Sequence, residues 1–363
     1  MKEAAIDEQK ARVVLADGQC FDGYSFGYPQ SIAGEIVFTT GMTGYPEALS
    51  DPSYFGQILV FTFPLIGNYG MPEEALLEGL KRYYESDQGQ IRGLVVADYS
   101  ANYAHWNARN SLTQWLYDLR IPAVTGVDTR ALTRHIRTQG VMPAKLIIGQ
   151  DVDFADPNEN NLVKEVSIKE PRLYGSGRKR ILLIDCGCKH SIIQNLLQRD
   201  VQILRVPWDF DVDSETYDGV IISSGPGDPK QVGETVQLAK RLIEKQKPTF
   251  GICLGHQVMA LAAGADSYKL KFGHRSQNQP VQVAGGGKAY VTSQNHGYAV
   301  DPAKLPPDWK PWFINLNDGT NEGLMHESGR FFTTQFHPEA SPGPVDTTFL
   351  FDQFVQVIHE PSS

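Results

Sequence analysis

Long apolar stretches without alternation dominate the C-terminal half of the chain. Strands are predicted at residues 180–185, 201–206, 217–224 and 248–252, and helices at residues 191–200 and 234–245. Strands that are apolar throughout are typical of a parallel sheet covered on both faces, and helices between them provide that cover. The pattern therefore predicts an α/β domain with a mainly parallel open sheet and helices on both faces.

The N-terminal part has a different pattern. Short β-branched stretches at residues 11–16, 35–40 and 58–63, with glycines between them, favour strands. Helical periodicity is found at residues 72–86, 110–119 and 128–137, and a further strand is predicted at residues 91–97. This part is predicted to be a mixed α/β domain without regular βα alternation, and it shows no catalytic constellation.

A polar stretch at residues 151–178 separates the two patterns. It contains two prolines and ends in Gly175-Ser176-Gly177, a composition typical of a linker. We therefore expect an N-terminal domain at residues 1–150, a linker at 151–178 and a C-terminal domain at 179–363.

Composition and charge narrow the class of protein. The 363 residues are 41% hydrophobic and 21% charged, with a net charge of −9, so electrostatic binding to nucleic acid or to a membrane is not expected. No run approaches the ~18 apolar residues of a membrane helix. The first eight residues carry acids and lack the apolar segment of a secretory signal. Four cysteines are too few for a disulfide framework, and we expect a cytoplasmic protein.

Residues 248–264 combine a short strand, a tight turn and an alanine-rich helix. The turn is Gly251-x-Cys253-x-Gly255, the cysteine form of a nucleophile elbow. Glycines on both sides let the backbone crowd the nucleophile, and the N-terminus of a helix stabilises a thiolate. The same five residues would also fit a buried cysteine in an ordinary turn, so a partner is needed to decide.

A candidate base lies further along the chain, in His337-Pro338-Glu339 after an apolar strand. Side chains at i and i+2 of an extended segment point to the same side, and Pro338 favours an extended conformation at His337. Glu339 can then orient the imidazole of His337 while the other ring nitrogen faces a thiol. Cys253, His337 and Glu339 are therefore predicted to form a catalytic triad.

The strand at residues 217–224 runs into Gly225-Pro-Gly227-Asp-Pro. Open α/β sheets bind ligands at the carboxyl ends of their strands, and glycines there let backbone N–H groups approach an oxyanion. A plain Pro/Gly turn has the same composition.

Other kinds of site have no motif in the chain. A dinucleotide fingerprint and a Walker A sequence are both absent. His274, His296 and His326 are dispersed along the sequence, without acids at metal spacing, so no metal site is predicted. Cys186 and Cys188 have one residue between them instead of two, and are interpreted as structural.

The motifs resemble those of class I glutamine amidotransferases. The resemblance rests on Pro-Thr-Phe-Gly-Ile-Cys-Leu-Gly-His-Gln at 248–257, Ser-Gly-Pro-Gly-Asp-Pro at 224–229 and Gln-Phe-His-Pro-Glu-Ala at 335–340. More narrowly, the chain resembles the small, glutamine-hydrolysing subunit of carbamoyl phosphate synthetase. That likeness rests on residues 270–275 (Leu-Lys-Phe-Gly-His-Arg), 293–298 (Ser-Gln-Asn-His-Gly-Tyr), 38–45 (Phe-Thr-Thr-Gly-Met-Thr-Gly-Tyr), 51–54 and 66–69. It covers nearly the whole chain.

The resemblance implies a role for each matching residue. Cys253 would attack the carboxamide of glutamine and form a γ-glutamyl thioester, His337 would transfer the proton, and Glu339 would orient His337. Backbone N–H groups of Leu254 and Gly225 would form the oxyanion hole. The residues expected to hold the glutamine are Gly41, Gly225, Gly227, Leu254, Gln257, Asn295, Gly297 and Tyr298.

The chain departs from the family pattern at three places. Gly41 stands where some members have a serine that contacts the substrate, and Tyr298 stands where some members have phenylalanine. Residues 274–287 are irregular against the pattern and are expected to form an exposed hairpin.

The resemblance also implies a partner and no cofactor in this chain. ATP and Mg²⁺ would be used by a large ATP-grasp subunit, which would form a heterodimer with this chain and make carbamoyl phosphate for pyrimidine and arginine biosynthesis. Three alternatives stay open: a stand-alone thiol γ-glutamyl hydrolase, the amidotransferase subunit of another synthase, and a non-catalytic docking subunit.

Overall fold

The computed structural model describes residues 9–360, which form two compact units. One unit comprises residues 9–76 and 81–159, and the other comprises residues 77–80 and 160–360. The expectation that the first eight residues are no secretory signal lies outside the described residues. Within residues 9–360, no helix has the length and apolar character needed to cross a membrane.

The N-terminal elements are mostly short. The strands are β1 (Lys10–Leu15), β2 (Cys20–Ser25), β3 (Ile32–Thr39), β4 (Gln57–Phe61), β5 (Leu65–Ile66), β6 (Met71–Pro72), β7 (Leu76–Leu77), β8 (Leu80–Lys81), β9 (Gly93–Val95), β10 (Asp98–Tyr99), β11 (Ala108–Asn110), β12 (Ala123–Thr125) and β13 (Met142–Ile147). The helices are α1 (Tyr45–Ser50), α2 (Leu112–Asp118) and α3 (Thr129–Gln139).

Seven of these strands close into a barrel, in the order β1-β13-β3-β4-β9-β12-β2. In β1, exposed and buried residues alternate, and Val13 and Leu15 point into the core, as expected of a strand with one face on a core. The mixed α/β character predicted for this part is confirmed, and so are the helices at residues 110–119 and 128–137, which are α2 and α3.

The helix predicted at residues 72–86 is wrong. The segment instead holds the short strands β6, β7 and β8. Glu78 and Gly79 have φ angles of 53° and 77°, and a right-handed helix cannot pass through two such residues. The apolar spacing that imitated a helix belongs to a tight hairpin.

The C-terminal elements build one large sheet and its covering helices. The strands are β14 (Arg172–Tyr174), β15 (Lys179–Asp185), β16 (Val201–Pro207), β17 (Gly219–Ile222), β18 (Thr249–Ile252), β19 (Asp266–Val283), β20 (Ala289–Asp301), β21 (Trp309–Asn315), β22 (Asn321–His326) and β23 (Phe331–Thr334). The helices are α4 (Val163–Val166), α5 (His190–Leu197), α6 (Gly233–Glu244), α7 (Leu254–Ala263) and α8 (Phe349–His359).

The ten strands have the order β14-β16-β15-β17-β18-β23-β22-β21-β19-β20. The five strands from β16 to β23 in that order are parallel, and antiparallel strands extend the sheet on both sides. Leu182 packs with α6 residue Leu238 on one face, and Ile181 packs with Ile192 of α5 and Phe351 of α8 on the other. The predicted parallel sheet with helices on both faces is confirmed.

The stretch expected to be a linker is partly built into this sheet. The units divide between residues 159 and 160, inside that stretch. Residues Arg172–Tyr174 form β14, an antiparallel edge strand beside β16. Polar composition concealed this pairing because an edge strand pairs through its backbone while its side chains can stay exposed, as those of Arg172 and Leu173 do.

The hairpin expected at residues 274–287 is formed by β19 and β20, but most of it is not exposed. His274, Arg275 and Ser276 are buried, and continuous exposure begins only at the turn that contains Gly285, Gly286 and Gly287. Antiparallel pairing with β20 covers the polar residues that looked like a surface segment.

Candidate active site

The turn between β18 and α7 places Cys253 in a strained conformation. Its φ and ψ are 54° and −101°, a region that non-glycine residues rarely occupy and that is found at functional sites. A side chain is excluded at the flanking glycines, because a Cβ on Gly251 would lie 2.6 Å from the Gly255 carbonyl oxygen and one on Gly255 would lie 2.0 Å from that of Ile222. The Cys253 N–H donates to the carbonyl of Thr334 at 2.7 Å. The elbow predicted from the sequence is therefore present as a backbone feature.

The thiol of Cys253 is buried between a strand carbonyl and a side-chain amide. Its Sγ lies 3.6 Å from the carbonyl oxygen of Asn295, on β20, and 3.7 Å from Nε2 of Gln335. Only 2% of Cys253 is exposed. An ordinary turn cysteine would satisfy the burial but would not need two polar groups directed at its sulfur.

His337 and Glu339 meet as the i, i+2 spacing predicts. Nδ1 of His337 lies 2.6 Å from Oε1 of Glu339, and both side chains are buried. The His337 N–H donates to the carbonyl of Ser293 at 2.9 Å, which anchors the base to β20, the strand that also presents Asn295 to the thiol. Strand β20 therefore contacts both Cys253 and His337 of the predicted triad.

The electrostatics of this pair follow from burial and charge. Burial alone would lower the pKa of the His337 imidazole, but the charge of Glu339 and the interaction with Cys253 outweigh it and raise that pKa. The other ring nitrogen, Nε2, is also buried, and the interaction of the imidazole with Cys253 contributes to the rise in its pKa. His337 is thus held in one orientation through Nδ1 and interacts with Cys253.

A lysine that the sequence did not single out completes the group. Nζ of Lys189 lies 3.1 Å from Oε1 of Glu339 and donates to the carbonyl of Ala340 at 2.9 Å. Burial would raise the pKa of the Glu339 carboxyl, but Lys189 and His337 both lower it, and the net shift is downward. Glu339 is therefore a buried carboxylate shared by two cationic partners.

The turn that carries Lys189 is built on a buried ion pair. Asp185, at the end of β15, accepts the N–H groups of Gly187 and Cys188 at 2.9 and 2.7 Å. Its other oxygen lies 2.9 Å from Nη2 of Arg205. This pair holds the turn in place, so that Lys189 at its end reaches Glu339.

The glycines after β17 lie beside the elbow. A Cβ on Gly225 would lie 2.0 Å from the carbonyl oxygen of Cys186 and 2.9 Å from Cδ2 of Leu254, so this position is restricted to glycine. Leu254 is the first residue of α7, where a backbone N–H has no acceptor inside the helix. Gly227, with φ of 88°, packs on Leu162. The predicted oxyanion-hole residues are thus neighbours.

The remaining predicted contacts of the C-terminal unit lie along α7 and β20. The side-chain amide of Gln257 donates to the carbonyl of Tyr298 and to Oε1 of Gln335, both at 2.9 Å. Asn295 is buried, Tyr298 is 9% exposed, and Gly297 between them is partly exposed. Gln257 therefore links β20, the strand that bears Tyr298, to Gln335 by hydrogen bonds. Gln335 in turn contacts the thiol of Cys253.

Gly41 belongs to the other unit, in the loop between β3 and α1. Its N–H donates to Oγ1 of Thr39 at 3.2 Å. The same loop is held by the Tyr69 hydroxyl, which accepts from the N–H groups of Gly44 and Tyr45 at 2.9 and 3.0 Å. The contribution of Gly41 to glutamine binding stays a prediction.

Sequence reasoning missed two residues of the site, Lys189 and Gln335. Gln335 stands inside the quoted motif around His337, two positions before it, so the i, i+2 argument that found Glu339 would also have placed Gln335 on that side. Lys189 carries no such signal, because only the pairing of β15, β17, β18 and β23 brings its turn to the triad.

Two of the three histidines that are dispersed along the sequence come together in the fold. His274 and His296 are directly opposite each other on β19 and β20, and Glu322 lies beside them. His326 lies elsewhere, with its Nε2 2.9 Å from Asp308.

The strained cysteine at a strand-to-helix turn, facing a histidine oriented by a glutamate, defines the C-terminal unit as a class I glutamine amidotransferase domain. Residues 182–357 match the family model described as "Glutamine amidotransferase class-I". Residues 13–146 match a second model, "Carbamoyl-phosphate synthase small chain, CPSase domain". With both matches in this order, the chain belongs to the carbamoyl-phosphate synthase small-chain family.

Curated relatives agree with this placement. The chain is 48% identical over 360 residues to "Carbamoyl-phosphate synthase [ammonia], mitochondrial" of Homo sapiens, and the alignment covers 98% of this chain and 24% of that protein. It is 48% identical over 381 residues to "Multifunctional protein ura1" of Schizosaccharomyces pombe, and this alignment covers 95% of this chain and 17% of that protein. The chain thus spans about a quarter or less of the length of these relatives.

Among solved structures, the chain is similar to a glutamine amidotransferase from Thermotoga maritima. The TM-score is 0.38 at 20% identity, over 45% of this chain and 77% of that one.

Proposed function

We propose that this chain is the glutaminase component of a carbamoyl phosphate synthetase. It would hydrolyse L-glutamine to glutamate and ammonia with Cys253 as nucleophile, His337 as proton carrier and Glu339 as orienting carboxylate. The observation that carries the proposal is the strained, buried Cys253 together with the imidazole of His337. Nδ1 of that imidazole lies 2.6 Å from the carboxylate of Glu339.

The first half-reaction forms the thioester. The raised pKa of His337 favours a protonated imidazole at neutral pH. The thiolate of Cys253 attacks the carboxamide carbon, and the C–N bond breaks as His337 delivers its proton to the leaving nitrogen. Ammonia and a γ-glutamyl thioester result, and His337 is left neutral.

Backbone donors would stabilise the tetrahedral intermediate. The N–H groups of Leu254 and Gly225 are rigidly placed, the first by the start of α7 and the second by a position that excludes a side chain. Such preorganised donors are worth about 10²–10³ in kcat each.

The second half-reaction returns the enzyme to its starting state. Neutral His337 takes a proton from water while the oxygen attacks the thioester carbonyl. Collapse of the intermediate expels the Cys253 thiolate and releases the γ-carboxylic acid of glutamate, which gives up its proton to water or to the released ammonia. The sum is glutamine plus water giving glutamate plus ammonia, with the imidazolium regenerated.

The ammonia would pass to a large ATP-grasp partner that makes carbamoyl phosphate from bicarbonate, using ATP and Mg²⁺, for pyrimidine and arginine biosynthesis. This is supported by the match to the small-chain family and by the greater length of the relatives. Ammonia released into water at neutral pH would mostly be protonated and would no longer be a nucleophile, so direct transfer to a partner preserves it. A heterodimer in the cytoplasm is part of this proposal.

The test is steady-state ammonia release from glutamine by the purified chain, alone and with the large partner, with and without ATP and bicarbonate. We expect slow hydrolysis alone and faster hydrolysis in the active complex, because closure of the partner would align Cys253 with its oxyanion donors. Equal, high turnover in both conditions would instead support a stand-alone γ-glutamyl hydrolase.

A second candidate follows from the name of one relative, which specifies ammonia. In a protein that uses free ammonia, this domain could serve as a docking or regulatory element. The intact set of Cys253, His337 and Glu339 favours hydrolysis. A chain that supports carbamoyl phosphate synthesis from ammonium but releases no ammonia from glutamine would favour the second candidate.

A further inference from the structure

A second buried polar cluster lies on the strands beside the predicted triad. His274 on β19 and His296 on β20 have ring centroids 4.9 Å apart. With Glu322 on β22, they offer three ligand atoms that all lie within 4.8 Å of one another. Two imidazoles and a carboxylate form a set that divalent transition metals use in proteins.

Each histidine of the cluster is oriented by an acceptor at its outer nitrogen. Nε2 of His274 lies 2.8 Å from Oδ2 of Asp318, and Nδ1 of His296 lies 2.8 Å from the carbonyl oxygen of Tyr298. Both outer nitrogens must carry hydrogen to make these bonds, so in the neutral rings Nδ1 of His274 and Nε2 of His296 present lone pairs. A carboxylate or backbone carbonyl behind an imidazole is the arrangement that orients metal-bound histidines.

The space that these lone pairs face contains further acceptors, and among residues 9–360 the side-chain amide nitrogens of Gln294 and Asn315 donate to Glu322 and not to the imidazoles. Oε1 of Gln294 lies 3.1 Å from both inner nitrogens, and Oε1 of Glu322 lies 3.4 Å from Nδ1 of His274. The Gln294 amide nitrogen is already committed to Thr292 and to the other oxygen of Glu322, at 3.2 and 3.0 Å. With neutral rings, acceptors therefore converge on one point, which a cation would satisfy.

Three of the separations are close to those expected in a tetrahedral site. Ligands about 2.0–2.1 Å from a zinc ion lie roughly 3.3–3.4 Å from one another, and three of the measured edges are 3.1, 3.1 and 3.4 Å. The Gln294 amide could also be turned, so that its nitrogen donates to both histidines, but its oxygen would then require a proton on Glu322. The converging acceptors thus leave two candidate occupants for the cluster, a metal ion and a proton.

We propose that this cluster is a structural binding site for Zn²⁺ or a similar first-row divalent ion, with His274, His296 and Glu322 as ligands and Gln294 as the fourth. The site is closed, since all three titratable ligands are less than 10% exposed. His296 lies between Asn295, whose carbonyl faces the thiol, and Gly297. The ion would brace the strand that positions the proposed active site without taking part in its chemistry.

The experiment is equilibrium dialysis of the chelator-treated chain against Zn²⁺ with metal analysis, and against Co²⁺ with absorption spectroscopy. Cys253 is alkylated first, so that its thiolate cannot bind the metal. We expect one ion per chain, and a cobalt spectrum without a thiolate charge-transfer band. His274→Gln and Glu322→Gln should weaken binding by at least about 100-fold, and Asp318→Asn, at the partly exposed end, by about 10–100-fold.

His326→Gln is the matched control, because His326 is also a buried histidine paired with an aspartate, Asp308, but has no part in the cluster. It should bind one ion with unchanged affinity. Sub-stoichiometric uptake by the unsubstituted chain, or equal loss in His326→Gln and Asp318→Asn, would overturn the proposal and leave a proton on Glu322 as the occupant. Asp318→Asn leaves the buried ligands in place, so the test does not depend on variants that disturb the core.

Discussion

Nζ of Lys189 lies 3.1 Å from Oε1 of Glu339, and both side chains are almost completely buried. The same carboxylate oxygen lies 2.6 Å from Nδ1 of His337. The Glu339 carboxylate therefore lies between the amino group of Lys189 and the imidazole of His337. Glu339 raises the pKa of His337 and Lys189 lowers it, so the two residues set the protonation of the proposed proton carrier in opposite directions.

Replacing Lys189 with methionine should shift the alkaline limb of the kcat/KM profile for glutamine hydrolysis to higher pH. Its positive charge lowers the pKa of His337, so its removal raises that pKa, and the imidazolium persists to higher pH. The buried carboxylate also loses a partner, which costs about 3 kcal/mol or more of unfolding free energy. Kinetics from neutral to alkaline pH and urea melts measure both effects. Lys189→Arg, which keeps the charge, should show the smaller pH shift, and an unmoved limb in Lys189→Met would refute the assigned role.

Replacing Glu339 with glutamine should move the same limb in the opposite direction. Loss of the carboxylate removes the charge that raises the pKa of His337, so the imidazolium is lost at lower pH. We expect a fall in kcat of up to about 10⁴-fold, smaller than that of His337→Asn, since Glu339 orients the base and does not carry the proton. The pH profiles of the two variants are the measurement. A larger loss in Glu339→Gln than in His337→Asn would reverse the roles.

Cys253→Ser should abolish glutamine hydrolysis, with a loss on the order of 10⁴–10⁶-fold, as found when the nucleophile of a triad is removed. Synthesis of carbamoyl phosphate from free ammonium by the complex should be unchanged, because that route does not require this thiol. Cys20→Ser is the control, since Cys20 is exposed and distant in sequence from the elbow. In thiol labelling with a glutamine analogue, Cys253 should react and Cys20 should not. Substantial glutaminase activity in Cys253→Ser would refute the triad.

Gly225→Ala should damage both folding and turnover. The added Cβ would lie 2.0 Å from the carbonyl oxygen of Cys186, so the backbone must move, at a cost of about 1–3 kcal/mol or more. Displacing one oxyanion donor should lower kcat by about 10²–10³-fold. Gly233→Ala, at the start of α6 with open space around its Cβ, should keep full activity and unchanged or slightly higher stability. Calorimetry and glutaminase assays on the two variants measure these differences. Equal stability and equal kcat in Gly225→Ala and Gly233→Ala would exclude the steric explanation.

Local pattern predicted most of the fold around the site. Apolar strands and amphipathic helices follow from periodicities of a few residues, so the layered sheet was visible without any tertiary information. The helix predicted at residues 72–86 shows the limit, because Glu78 and Gly79 adopt positive φ angles that apolar spacing does not report. The closed N-terminal barrel was likewise not predicted, since ring closure depends on pairing between distant strands.

Those residues of the site that are neighbours along the chain could be recognised before the fold was known. Gly251, Cys253 and Gly255 form one turn, and His337 and Glu339 are two positions apart on one extended segment. Their relation is set by backbone geometry over a few residues, and the structure reproduces it.

The pairing of charged groups that are far apart along the chain depends on the fold. Lys189 comes to Glu339 through the parallel strands, and His274 comes to His296 through the register of a long hairpin. Buried polar groups must find partners, but the sequence does not state which ones. The partners are determined by the sheet, because it fixes the register of strands that are far apart in the chain.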